Sequence, residues 1–229
     1  MLWVVRPGCA RLVVKRSVFT GAVVGIAGVD DLPAALSLAG QHVPDAGHYA
    51  FALRGRPGEE QASDAGEPSG TAGRPLLQLL RRRDVEHAIV IVARFYGGVN
   101  LGRPGLFRAY LGAGEEALSA SGLEEPLQLL PIQVRLRYDQ YGSFQHQFPE
   151  LVNDPSAIRF TDVVEVTGLL PVTARPRLET FLNDRGMAAH WEVGEPFYST
   201  RSPQSCLEWP TSNSASRDGS DGRDGEEQT

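Results

Sequence analysis

Cysteine and lysine are scarce in this chain of 229 residues, which holds two cysteines, Cys9 and Cys206, and a single lysine, Lys15. Because the two cysteines lie far apart in sequence, neither a disulfide framework nor a four-ligand zinc site is expected, and the compartment is expected to be reducing. The remaining basic residues are arginines. Arginine suits bidentate contacts with phosphate, although a GC-rich genome produces the same bias.

Long apolar runs are also missing. The most apolar terminal segment, residues 2–14, is interrupted by Arg6, Pro7, Gly8 and Arg11. A membrane-spanning helix needs about 20 consecutive apolar residues, and a signal peptide needs a continuous apolar centre. We therefore predict a cytoplasmic protein without a signal peptide or a transmembrane helix.

The charge is spread unevenly along the chain. The formal net charge is −6, but residues 1–122 carry 13 basic and 11 acidic side chains. Residues 123–198 carry 6 basic and 11 acidic side chains, and residues 199–229 carry 3 and 6. Only the first of these parts has a charge balance that favours a polyanion.

The length and the apolar pattern predict two domains, residues 1–122 and 123–198, followed by a polar tail, residues 199–229, that we expect to be disordered. In the first domain we expect a strand pair at 12–14 and 18–26, a strand at 48–53 and a polar loop at 55–66. The continuous apolar run at 88–93 is typical of a central strand that is covered on both faces. Helices are predicted to start near Pro75 and Pro104.

The second domain has a different order of elements. Its pattern predicts strand 130–138, a short helix near 142–152, strands 157–160 and 162–169, helix 174–185 and strand 187–193. This is the βαββαβ order of a ferredoxin-like half-sheet covered by two helices. Pro149 lies inside the first of these helices and should bend or shorten it.

The densest motif is residues 63–75, with the sequence SDAGEPSGTAGRP. Its glycines can adopt backbone angles closed to other residues, so that consecutive N–H groups converge at the start of a helix, where an anion is favoured. Arg74 would lie beside that anion. The Gly-Lys-Ser/Thr ending of a nucleotide-hydrolysing loop is missing. A tight, well-capped turn explains the same glycines, and the two interpretations stay open.

A second glycine-rich segment, residues 94–110, has the sequence RFYGGVNLGRPGLFRAY. Here too a buried strand runs into glycines and then into a helix, with Arg94, Arg103 and Arg108 nearby. Arginine beside the aromatic residues Phe95 and Tyr96 suits phosphate contact and base stacking in single-stranded RNA. Aromatic residues at a strand end are also common in a hydrophobic core, and this alternative stays open.

Hydrolytic chemistry would need an acid, a base or a metal site. Asp64, Glu67 and His48 are the weak candidates for these roles, since the sequence does not fix the distances between them. The remaining histidines are scattered and show no spacing typical of metal ligands. We therefore assign no catalytic residue, no metal site and no cofactor.

The two glycine-rich segments resemble the signatures of the YigZ/IMPACT family. Residues 64–75 resemble its Asp-Asp-Gly-Glu-Pro-Ser/Ala-Gly-Thr-Ala-Gly-Lys/Arg-Pro motif, and residues 94–106 resemble Arg-Tyr-Tyr/Phe-Gly-Gly followed by Leu-Gly-x-Gly-Gly-Leu. Asp45, Ala46 and His48 match a further motif upstream. The chain departs from the family pattern at Val18, Gly47, Ala65 and Pro104. The missing carboxylate at Ala65 argues against a metal site built on two carboxylates.

The resemblance implies an α+β fold in two parts. The N-terminal domain would be an α/β sandwich similar to the second domain of a small-subunit ribosomal protein and to elongation factor G domain IV. The C-terminal domain would be similar to elongation factor G domain V, in agreement with the ferredoxin-like order. The implied function is a translation-associated regulatory or binding protein, with a metal-assisted hydrolase or peptidase and a protein-interaction scaffold as alternatives.

The expected partners are RNA, the ribosome or a translation-factor surface, without specificity for DNA and without a membrane. Contact with an anionic ligand would be made through the two glycine-rich loops. The residues expected to bind are Gly66, Glu67, Ser69, Gly70, Thr71, Gly73, Arg74, Arg94, Gly97, Gly98, Asn100, Arg103 and Arg108.

Overall fold

The computed structural model describes residues 1–186 and 191–199 as a mixed α/β fold. In chain order the strands are β1 Leu2–Arg6, β2 Gly8–Val14, β3 Ser17–Gly25, β4 His48–Arg54, β5 Glu60–Ser63, β6 Val85–Glu86, β7 Ala88–Phe95, β8 Gly122–Glu124, β9 Leu127–Leu136, β10 Ile158–Phe160, β11 Val164–Pro171, β12 Trp191–Val193 and β13 Phe197–Ser199. The helices are α1 Leu32–His42, α2 Gly73–Arg82, α3 Gly102–Ala120, α4 Tyr138–Gln147, α5 Pro149–Val152 and α6 Arg175–Asp184.

An antiparallel sheet in the order β2-β3-β7-β4-β5 forms the centre of the N-terminal half. Its middle strand, β7, is buried on both faces, as its continuous apolar run predicts. Val90 and Val92 pack into a core with α2 and α3, whereas Ile89 and Ile91 pack into a second core with α1. This alternation follows from the two-residue period of a strand.

The helices predicted near Pro75 and Pro104 are present as α2 and α3, and each begins two residues before its proline. Proline is tolerated there because the first N–H groups of a helix have no partner within the helix. The predicted strand pair at the start is also confirmed, as β2 and β3. The two-residue turn between these strands, Lys15 and Arg16, has positive φ angles of 44° and 71°.

The polar loop predicted for residues 55–66 is wrong in its middle. Residues 60–63 form β5, an edge strand that pairs with β4. The sequence of β5, EQAS, has little apolar alternation, so its strand character comes from pairing and not from its own pattern. Glu60 also forms ion pairs with Arg54 and Arg81, which fix the edge.

A small sheet in the order β6-β1-β8 lies beside this core. Strand β1 pairs in parallel with β6 and antiparallel with β8, so residues 2–6 and 122–124 are neighbours. The sequence pattern does not separate β1 from β2, because the interruption at Pro7 is short.

The predicted βαββαβ order is present in the C-terminal half, as a sheet in the order β10-β11-β9-β12. Pro149 divides the predicted helix into α4 and α5, as expected of a residue without an N–H. The predicted strand 187–193 is seen as β12, and residues 187–190 lie outside the described residues. Strand β13 was not predicted and pairs with the start of β9.

Three hydrophobic clusters organise the described residues. Two lie on opposite faces of the N-terminal sheet, and the third contains residues from 130 to 182. The division into domains at 122 and 123 stays a prediction. Ser199, the first residue of the predicted tail, ends β13, and residues 200–229 lie outside the described residues. Within the described ranges, no helix is long and apolar enough to cross a membrane.

The contact between β3 and α3 generates a test of this packing. A Cβ on Gly21 would lie 2.5 Å from the backbone carbonyl oxygen of Ala113 in α3. We expect Gly21→Ala to lower the free energy of unfolding by about 1–3 kcal/mol, because overpacking displaces the helix. Gly40→Ala is the matched control, since a Cβ at Gly40 in α1 meets nothing within 4 Å. It should stabilise the protein by about 0.5–1 kcal/mol. Urea unfolding measures both, and equal stability of the two variants would contradict the packing.

Candidate functional site

The first glycine-rich segment folds around its own aspartate. One carboxylate oxygen of Asp64, Oδ2, accepts a hydrogen bond from Gly70 N at 2.8 Å. The other, Oδ1, accepts from Ala72 N and Gly73 N, each at 2.9 Å. Burial raises the pKa of Asp64, but these three N–H groups, together with the positive charge of Arg103, outweigh it and hold the pKa below its ordinary value.

These bonds correct the expectation that an external anion uses this loop. The N–H groups of Gly70 and Gly73 do converge on a negative charge, but that charge is the carboxylate of Asp64. For these two residues, the contacts therefore favour a capped turn over a binding site for an external anion. Gly73 also has to be glycine, because a Cβ there would lie 2.7 Å from Ser63 N.

A buried carboxylate connects the two glycine-rich segments. Glu67 Oε1 accepts from Arg94 Nη1 at 2.6 Å and from the hydroxyl of Tyr110 at 2.8 Å. The side chains of Glu67 and Arg94 are only 4% and 7% exposed. The charge of Arg94 is therefore neutralised inside the protein, which corrects its expected role as a cation for an external ligand.

Three further groups surround Arg94. Its Nη2 lies 3.4 Å from Ser17 Oγ, a weak hydrogen bond, and its guanidinium carbon lies 5.4 Å from the ring centroids of both Phe19 and Tyr96. Both ring distances are within the range of cation–π attraction. Burial, together with the negative charge on Glu67, raises the pKa of Tyr110 well above its ordinary value, so the hydroxyl stays protonated and donates.

His48 lies at the edge of this buried group. Its Nδ1 is 2.8 Å from the carbonyl oxygen of Ala65, and because a carbonyl only accepts, Nδ1 carries the proton. Its Nε2 lies 3.8 Å from Glu67 Oε1. The contact with Ala65 holds a residue with a positive φ of 49°, next to Gly66 with a φ of 87°.

The three weak candidates for hydrolysis are therefore committed to internal contacts. Asp64 binds backbone N–H groups, Glu67 binds Arg94 and Tyr110, and His48 donates to the loop. In the described part of the chain, no group of three or more His, Cys, Asp or Glu side chains is arranged to hold a metal ion. The metal-assisted hydrolase has no ligand set in these ranges.

The second glycine-rich segment leaves β7 and turns against the β2–β3 turn. Gly97 N donates to Ser17 Oγ at 3.1 Å, and a Cβ on Gly97 would lie 2.1 Å from the carbonyl carbon of Arg16. Tyr96, which precedes this glycine, is 58% exposed. The core alternative for Tyr96 is therefore wrong, whereas Phe95 is half-buried. Gly98 and Asn100 are in the loop that follows.

Arg74 and Arg103 are exposed in the first turns of α2 and α3, and Arg108 is exposed in the second turn of α3. Arg103 Nη2 donates to the carbonyl oxygen of Ser69 at 2.7 Å, which joins the two segments at the surface. Arg74, Arg103 and Arg108 form no ion pair with any described residue. A shallow depression of about 350 Å³ is lined by Gly70, Thr71, Arg103, Pro104, Phe107 and Arg108. We call Arg74 and this depression the arginine surface.

Sequence reasoning missed three members of the buried group. Tyr110 ends the second glycine-rich segment, but no role in a site was predicted for it. Nothing in the local sequence of Ser17 predicts its role, because its hydroxyl accepts a hydrogen bond from Gly97, which is 80 residues away in sequence. Phe19 likewise reads as an ordinary strand residue.

The Asp64 contacts generate a prediction of pH dependence. Because the pKa of Asp64 is lowered in the folded state, its stabilisation is present above the ordinary pKa of about 3.9 and is lost as the pH falls through the lower folded value. Asp64→Asn should lower the free energy of unfolding by about 1–2 kcal/mol at pH 7, with a smaller difference from wild type at pH 3. Asp162→Asn, at an exposed turn, is the control and should be neutral. If Asp64→Asn lowers the free energy of unfolding equally at both pH values, the stabilisation does not come from the charged carboxylate.

The Glu67–Arg94 pair generates a second prediction. Arg94→Met or Glu67→Gln leaves one buried partner uncompensated and should cost about 3–5 kcal/mol of stability. The double variant should recover part of that loss, giving a coupling energy above about 1 kcal/mol in a double-mutant cycle measured by urea unfolding. The exposed pair Arg82–Glu115 provides the matched cycle, for which coupling below about 1 kcal/mol is expected. Equal coupling energies in the two cycles would contradict a larger contribution of the buried pair to stability.

Comparison with known proteins identifies the family. Residues 15–118 match the family model described as the Impact N-terminal domain. The chain is 31% identical over 154 residues to the IMPACT family member in the pol 5′ region of Thermus thermophilus, covering 65% of this chain and 84% of that protein. It is 34% identical over 131 residues to the IMPACT family member YigZ of Escherichia coli, covering 56% of this chain and 64% of YigZ.

The other matches differ in coverage. The alignment with the IMPACT family member YvyE of Bacillus subtilis is 33% identical and spans 46% of this chain and about half, 49%, of YvyE. The crystal structure of a hypothetical protein aligns with a TM-score of 0.57 at 25% identity, covering 84% of this chain and 95% of the other. The resemblance found in the two glycine-rich motifs is confirmed, and the chain belongs to the IMPACT family.

Proposed function

We propose that the protein is a translation-associated regulatory or binding protein that contacts RNA, the ribosome or another anionic ligand through the arginine surface. The observation that carries the proposal is the exposure of Arg74, Arg103 and Arg108 without an ion-pair partner among the described residues, in contrast to buried Arg94. Guanidinium groups that form no ion pair keep N–H donors for bidentate contact with phosphate. Of the three, Arg103 also interacts electrostatically with Asp64.

The position of these arginines supports an anionic ligand. Arg74 and Arg103 lie in the first turns of α2 and α3, where the helix dipole is positive and a cation is disfavoured. At α2, the carboxylate of Asp64 offsets the positive end of the helix dipole, but α3 has no acidic residue in its first turn and no side-chain cap. A negatively charged ligand would offset the positive end of the dipole at α3.

The link to translation rests on the family resemblance. In this proposal residues 1–122 form a domain similar to the second domain of a small-subunit ribosomal protein and to elongation factor G domain IV. Residues 123–198 form a ferredoxin-like domain similar to elongation factor G domain V, consistent with the strand order β10-β11-β9-β12. We also propose a cytoplasmic location. A protein-interaction scaffold formed by the acidic second half stays a prediction.

The test is the binding of labelled RNA to the full chain. Wild-type protein should bind a single-stranded oligonucleotide of about 12 residues and a duplex of the same length, with affinity that falls as salt rises. The triple variant Arg74→Ala/Arg103→Ala/Arg108→Ala should weaken both by about tenfold or more at low salt, and should reduce the salt slope by about 2. Fluorescence anisotropy measures both quantities, and sedimentation with ribosomes tests the second partner.

A triple variant with the same change in charge is the control. Arg6, Arg83 and Arg159 are exposed, lie outside the arginine surface and form no ion pair with a described residue. Arg6→Ala/Arg83→Ala/Arg159→Ala should bind within about twofold of wild type if the contact is local. Equal weakening by both triples would mean that the net charge alone attracts RNA, and no binding by wild type to RNA or ribosomes would overturn the proposal.

A further inference from the structure

We propose that Tyr96 is a stacking platform for an unpaired nucleobase, so that the ligand of this protein is single-stranded RNA. This inference rests on the proposed function and narrows it to one class of RNA. It starts from the exposure of Tyr96, at 58%, in the loop after β7, between half-buried Phe95 and Gly97, which packs against the backbone of Arg16. Its hydroxyl makes no hydrogen bond with a described residue, so neither burial nor a hydrogen bond explains the choice of tyrosine.

The inner side of Tyr96 is held by the buried group. The guanidinium carbon of Arg94 lies 5.4 Å from the Tyr96 ring centroid and the same distance from the ring of fully buried Phe19. Arg94 is itself fixed by Glu67 at 2.6 Å. The ring is thus attached to a rigid support, which lowers the entropy that a base would lose on stacking against it.

The residues around the ring leave room for a ligand. Tyr96 is followed by two glycines, and a Cβ on Gly98 would meet nothing within 4 Å. Every nucleobase has a π-face, so an accessible tyrosine ring stacks with single-stranded RNA without reading its sequence. In a duplex the bases are already stacked on each other and cannot reach the ring.

Two cations lie beside this loop. Lys15 and Arg16 are exposed and form the tight turn that Gly97 touches through the backbone of Arg16. Both have positive φ angles, where asparagine and glycine are the usual residues, so the turn keeps two long cationic side chains at a strained position. Strained non-glycine residues cluster at functional sites. Phosphates on either side of a stacked base would meet these charges.

The platform and the arginine surface are close enough for one strand. Gly102, at the start of α3, lies six positions after Tyr96. The Cα atoms of the two residues therefore cannot be more than about 22 Å apart. An exposed aromatic ring flanked by cations suits a nucleic acid, which offers a base to stack on the ring and phosphates for the cations.

The experiment compares variants of Tyr96 with labelled oligo(U) of about 12 residues, a duplex of the same length and free UMP. Tyr96→Ala and Tyr96→Leu should weaken oligo(U) binding about tenfold, Tyr96→Phe should bind within about twofold of wild type, and duplex binding should be unchanged. Tyr138→Ala is the control, because Tyr138 is similarly exposed, at 56%, in the C-terminal half. Thermal unfolding of each variant confirms that it is folded.

The salt dependence separates this inference from the proposed function. Tyr96→Ala should leave the salt slope of oligo(U) binding unchanged, whereas loss of the arginine surface reduces it. If Tyr96→Ala binds oligo(U) as wild type does while the arginine triple variant does not, the stacking platform is overturned and the proposed function stands. If Tyr96→Ala weakens duplex binding as much as oligo(U) binding, single-stranded RNA is not the ligand. The same conclusion follows if wild type binds UMP as tightly as oligo(U). If wild type binds no RNA, both fail.

Discussion

The two glycine-rich segments are held together by the carboxylate of Glu67. A single oxygen of this side chain accepts hydrogen bonds from Arg94 in β7 and Tyr110 in α3, which are 27 and 43 residues away. The loop before α2, the central strand and the long helix therefore meet at one buried charge. Removing that charge from water is costly unless it is fully paired, so the positions of these three elements are strongly constrained.

A second internal charge has a local role. Asp64 binds the N–H groups at the start of α2 and thereby satisfies donors that the helix itself leaves unpaired. The tight path of the loop needs left-handed backbone angles at Ala65, Gly66 and Gly70. Aspartate and asparagine tolerate such angles better than alanine, which is a physical reason for the second aspartate of the family motif at Ala65. The metal-ligand explanation of that aspartate is not needed.

The sequence was a good guide where a local pattern decides the structure. The apolar run of β7, the prolines at the starts of α2 and α3 and the break at Pro149 each act over a few residues, and the structure has them where they were expected. The pattern did not indicate β5, whose strand character depends on pairing with β4, nor β13, whose partner at the start of β9 is 70 residues earlier. The period of a segment does not encode which strand it pairs with, whether the partner is nearby, as for β5, or far along the chain, as for β13.

The site shows the same limit for charges. Sequence alone treats Arg74, Arg94, Arg103 and Arg108 as equivalent cations beside glycines, but the fold makes them different. Arg94 is buried against Glu67 and supports an aromatic ring, whereas the other three are exposed in the first two turns of α2 and α3. The number of arginines in a motif therefore overstates the charge that a ligand meets. The positive charge that an external anion meets depends on which arginines are paired with buried carboxylates. That pairing depends on contacts between residues far apart in the chain.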